Sequence, residues 1–77
     1  IMKKKVIYQG IEYTITFQEY GDSNSRFVIN DEPSSITMPN TSLKNLGHFK
    51  YYAELAIIEY VARHNAEKLF NEWDGKL

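Results

Sequence analysis

No cysteine occurs in this chain. Disulfides, zinc–thiolate sites and thiol nucleophiles are therefore excluded. Proline is scarce, at 2 residues, and the 4 glycines (Gly10, Gly21, Gly47 and Gly75) stand apart from one another, so no glycine-rich phosphate loop is present. Neither sign of charge dominates: 9 basic and 10 acidic residues leave a net charge of −1. That balance announces no nucleic acid, anionic membrane or strongly cationic target. No stretch reaches the roughly 18 apolar residues of a membrane span. Lys3-Lys4-Lys5 resembles the start of a secretory signal, but Val6-Ile7-Tyr8-Gln9-Gly10 is far too short for its apolar core. Without a signal or cysteine, the expected location is cytoplasmic. Ile1 ahead of Met2 reads as a remnant and is set aside.

What remains is a single domain, residues 1–77. A chain this short buries only about 60–65% of the surface it exposes when unfolded, so its core is marginal. Without a covalent staple it needs either dense packing or help from oligomerisation. Aromatic residues make up 14% of the chain, including 6 Tyr and 1 Trp. Such side chains, with an apolar body and a polar tip, suit cores and interfaces alike.

The periodicity predicts strands over residues 4–9, 11–20, 26–30 and 35–38. Ile11, Tyr13, Ile15 and Phe17 alternate with Glu12, Thr14, Thr16 and Gln18, the mark of a half-buried strand. Gln9-Gly10 forms a two-residue hairpin loop, which sets Tyr8 opposite Ile11 and Val6 opposite Tyr13, all on the apolar face. Turn residues cluster at residues 21–25, and Asp31-Glu32-Pro33 turns the chain again. Phe27, Ile29, Ile36 and Met38 point inward, and Pro33 and Pro39 suit a sheet edge. Residues 40–47 connect, with Thr41 or Ser42 capping a short helical turn.

A long helix follows over residues 48–72, stopped by Asp74-Gly75. Its first half is apolar nearly all the way round. Tyr51, Leu55, Ile58, Ala62, Ala66, Leu69 and Trp73 make the main stripe, which is expected to pack on the sheet. Phe49, Tyr52, Ala56 and Tyr60 make a second stripe, and Ile57 and Val61 a third patch. The helix measures about 37 Å and a strand of ordinary length about 17–20 Å, so the helix should overhang its sheet. The expected fold is α+β: a four-stranded antiparallel meander followed by one long C-terminal helix packed on one sheet face.

Catalytic chemistry finds no footing. His48 and His64 lie about 24 Å apart along one helix, so no site can use both. His64 with Glu67 offers half a metal site at most, and Asp22, Asp31 and Glu32 read as turn formers. The serines have no histidine nearby in sequence. Asn40-Thr41-Ser42 matches a glycosylation sequon, which has no consequence without secretion. No enzyme, metal or cofactor is expected.

Two function classes remain. The first is a small non-enzymatic interaction protein, dimeric, of the accessory or inhibitor kind that phages and mobile elements encode. It would occlude or tether a protein partner, or a second copy of itself, through Phe49, Tyr52, Ala56 and Tyr60. The alternative is a nucleic-acid-binding regulator that uses Lys3, Lys4, Lys5, Arg26 and Tyr20 on the open sheet face.

Overall fold

The computed structural model describes residues 3–77; the reading of Ile1 and Met2 lies outside them. Four strands, β1 (Lys3–Tyr8), β2 (Ile11–Tyr20), β3 (Asn24–Ile29) and β4 (Glu32–Pro39), form one antiparallel sheet in the order β1-β2-β3-β4. A short 3-10 turn, Asn40–Ser42, leads to the single helix α1 (Leu46–Glu72). The architecture is the expected α+β meander with a C-terminal helix on one face.

The first hairpin follows its sequence pattern. Tyr8 pairs with Ile11 and Val6 with Tyr13. Gln9 and Gly10 both take positive φ, 51° and 80°, as a tight primed turn requires. The third turn is tighter than expected. Asn30 and Asp31 make it alone, at φ 49° and 68°, so Glu32 and Pro33 belong to β4 rather than to the turn. Asn30 reinforces it by accepting the Thr14 N–H on its side-chain oxygen at 2.9 Å, while its own N–H donates to the Thr14 carbonyl at 2.8 Å. As a result β4 is longer than its apolar core suggests, while β3 ends at Ile29 and starts early, at Asn24, inside the stretch expected to turn.

Pairing of β3 with β4 is interrupted. It runs Ile29↔Glu32 and Val28↔Pro33, then resumes at Arg26↔Thr37, so β4 bulges over residues 34–36 opposite Phe27. A bulge frees backbone groups from the ladder and re-aims side chains. Both prolines sit on β4, an edge strand, where a missing donor is harmless.

Helix α1 begins earlier than its apolar pattern implies. Asn45 caps it, its side-chain oxygen accepting the His48 N–H at 2.9 Å. Neither Thr41 nor Ser42 caps the preceding turn. Pro39 stands at that position with no side-chain cap, and Asn40 instead accepts a hydrogen bond from the buried Ser25 hydroxyl at 2.6 Å.

The core lies between the sheet and the first half of α1. Tyr13, Ile15, Phe27, Ile29, Met38, Ala56 and Ile57 are buried together. Phe17, Phe27 and Phe49 form a ring cluster with centroids 4.9–5.9 Å apart, and Tyr60 meets Tyr13 edge-on at 5.9 Å. Beyond Tyr60 every helical residue is exposed, so α1 overhangs its sheet. The molecule measures 48 × 28 × 22 Å with a radius of gyration of 14.5 Å. A compact chain of this length would have about 11.5 Å.

Candidate functional site

The two helix stripes have exchanged roles. Phe49, Tyr52, Ala56 and Tyr60, expected to face a partner, pack against the protein's own sheet together with Ala53 and Ile57. Ala56 is only 2% exposed and Ile57 1%. The stripe expected to lie on the sheet points away from it: Tyr51, Ile58, Leu69 and Trp73 are 45–58% exposed. The reason is steric. A helix approaches a twisted sheet most closely where its side chains are small, and Ala53 and Ala56 supply that strip. Phe49, Tyr52 and Tyr60 flank it and reach down to the aromatic rings of the sheet. Spacing alone ranks the larger apolar stripe first and misses this fit.

Glu59 locks the helix to the bulge of β4. Its carboxylate accepts from the Ser34 hydroxyl at 2.9 Å, the Ser35 N–H at 3.1 Å and the Ser35 hydroxyl. Arg63, one turn on, comes within 3.4 Å. Burial pushes this carboxyl up, but the Ser35 and Ser34 hydroxyls, the Ser35 N–H and the Arg63 guanidinium outweigh it, leaving the group below the ordinary carboxylate range. Sequence reading misses the β4 partners of Glu59, because a bulge leaves no mark in the alternation. His64 likewise turns to the sheet, its Nε2 2.6 Å from Glu32 Oε2, rather than to Glu67. These contacts fix the helix against β4 and explain the polar residues there structurally.

The opposite side of the helix is open. α1 packs over β3 and β4, so β1 and part of β2 lie uncovered beside it, leaving a groove of about 1290 Å³. Its floor is Ile15, Phe17 and Phe27. Val6 and Tyr8 form one wall, Phe49, Ala53 and Ile57 the other, and Leu43 and Leu46 close one end. Lys4 and Lys50 stand around it with one carboxylate, Glu54, and the Lys3 end of β1 borders it. Burial and the neighbouring Glu54 push the Tyr8 phenol up, so it stays protonated and able to donate. Leu46, at the mouth, is 65% exposed. Among the described residues, the outer edge of β1 adjoins no other strand. No residue pattern announced this groove, because it depends on where the helix lies across the sheet.

The residues of the nucleic-acid reading are divided. Register puts Lys3, Lys5, Tyr20 and Arg26 on the open face and Lys4 on the helix face. Lys5 comes within 3.8 Å of Glu12. The Arg26 guanidinium lies 4.4 Å from the Tyr20 ring centroid and donates to Gln18 at 2.6 Å, so the ring's face is already occupied by a cation. Among the described residues no group of three or more His, Asp or Glu side chains is placed to hold a metal ion. No described helix is long and apolar enough to cross a membrane. Comparison with family models, curated proteins and solved structures finds no match for this chain.

Proposed function

We propose that the protein is a non-enzymatic interaction module that binds an extended segment of a protein partner and thereby occludes or tethers it. The groove beside β1 is the observation that carries this reading: an apolar trough of about 1290 Å³ lying along an unpaired strand edge. An extended segment added to β1 would take up its free backbone groups and drop alternate side chains into the trough. Lys4 and Lys50 against one glutamate, Glu54, favour a segment bearing acidic residues. The run Lys3-Lys4-Lys5 opposes self-pairing of β1, since two copies of it would be brought together.

The test is selection from a displayed library of short segments, followed by amide exchange on the complex. Enriched segments should alternate apolar and acidic residues and should slow exchange along β1. Leu46→Glu should abolish binding without unfolding the protein, because Leu46 is mostly exposed. Enrichment that survives Leu46→Glu would sink the reading. So would salt-sensitive retention of single-stranded DNA that Arg26→Ala removes, which would move function to the open face.

A further inference from the structure

The outer stripe of α1 is built to pair with itself. Tyr51, Leu55, Ile58, Ala62, Ala66, Leu69 and Trp73 run along about 33 Å of helix. Their spacing repeats after 11 residues, from Tyr51 to Ala62 to Trp73. An 11-residue repeat keeps a seam almost straight along an α-helix. The sheet lies behind the helix, so the seam faces away from it, with only Leu55 half-buried, and beyond His64 no described hydrogen bond or ion pair ties the helix to the sheet.

We infer that two copies associate through this seam as an antiparallel helix pair with a two-fold axis at Ala62. In that register Tyr51 lies opposite the second copy's Trp73, Leu55 opposite its Leu69, Ile58 opposite its Ala66, and Ala62 opposite Ala62. Bulky residues meet at the ends, a large residue meets a small one between, and alanines at the centre let the backbones approach. A two-fold pairing requires this self-complementarity of a single patch. Each overhanging end then rests on the sheet-backed half of its partner's helix.

Charge independently supports the antiparallel sense, with a flank centre at Val61 that lies one residue from the seam's axis. One flank of the seam carries Lys50, Glu54, Val61, Lys68 and Glu72. Antiparallel pairing brings Lys50 beside the second copy's Glu72, Glu54 beside its Lys68, and Val61 beside Val61, and symmetry doubles each ion pair. In a parallel pairing this flank would instead lie beside the opposite flank of the second copy, and these ion pairs would not form. Lys50, Glu54, Lys68 and Glu72 are exposed, and among the described residues none forms a salt bridge within the chain; Glu54 also neighbours the Tyr8 hydroxyl.

The test uses light scattering across a concentration series together with oxidative cross-linking. The expected mass rises to twice 9.0 kDa. Lys50→Glu should weaken the dimer about tenfold, and adding Glu72→Lys to it should restore association. The chain lacks cysteine, so Ala62→Cys gives a clean probe that should link rapidly across the axis. Asn71→Cys, on the far side of the helix, should not. A monomeric mass at every concentration would overturn the inference. So would a dimer indifferent to the charge swap, or one in which both cysteine variants link at the same rate, because the interface would then lie elsewhere.

Discussion

Residues 46–60 and 61–72 belong to one unbroken helix, yet they live in different surroundings. The first half rests on a sheet, buries Ala56 and Ile57, and joins four aromatic rings of the sheet and helix in edge contacts. The second buries nothing, although it carries Leu69 and Phe70, with Trp73 just beyond its end. Helical propensity is continuous across the boundary, with no proline or glycine to mark it. The difference is therefore one of tertiary support. Marginal helices owe most of their stability to a packed face, and this chain supplies that face for only half of the helix. What the second half lacks within its own chain points to where another chain would add most.

The largest test of this contrast is Ile57→Ala. Ile57 is 1% exposed at the centre of the helix–sheet contact. Its truncation should cost about 2–4 kcal/mol in urea unfolding. A domain of this size has only about 4–11 kcal/mol in hand, so the variant should be close to losing its fold at body temperature. A loss below about 1 kcal/mol would mean that α1 does not seat on the sheet as described.

Glu59→Ala probes the polar half of the same seating. Removing a carboxylate that satisfies two serine hydroxyls and a backbone N–H should cost about 1.5–3 kcal/mol. The effect should depend on pH. The folded protein holds this carboxyl below its ordinary range, so its contribution is complete above that range and fades as pH falls through the folded value. Unfolding measured from roughly pH 6 down to pH 3 should thus show the wild type converging on the variant. A constant gap across that range would mean that packing, not the bound carboxylate, accounts for the loss.

The meander and the helix were legible because each rests on a local rule: alternation for β2, a two-residue loop for the first hairpin, an uninterrupted 3.6-residue period for α1. What was not legible is how the two layers meet. The helix offers two apolar stripes, and its spacing ranks the larger one as core. The fit is decided by small residues, Ala53 and Ala56, and by rings arriving from β2 and β3, none of which a helical period reveals. The Glu59 seat was hidden for a related reason. Its partners lie in a bulge of β4, 24 and 25 residues earlier in the chain, and a bulge appears only once register is known. The groove follows from the same missing information, since it is the part of the sheet that α1 leaves bare.

The smallest expected effect separates the two halves most sharply. Leu69→Ala removes a side chain as apolar as Ile57, but one that is 58% exposed on the overhang. In dilute solution, where the protein is monomeric, it should change unfolding free energy by less than about 0.5 kcal/mol, as surface substitutions do. At high concentration the same truncation should lower stability if Leu69 there faces the second copy's Leu55, as the inferred pairing requires. Amide exchange gives the matching readout. Residues 61–72 should exchange far faster than residues 49–60 when dilute, and should slow with concentration only if the seam is covered. A Leu69→Ala penalty equal at both concentrations would mean that the overhang is supported within its own chain, and the contrast between the two halves of α1 would collapse.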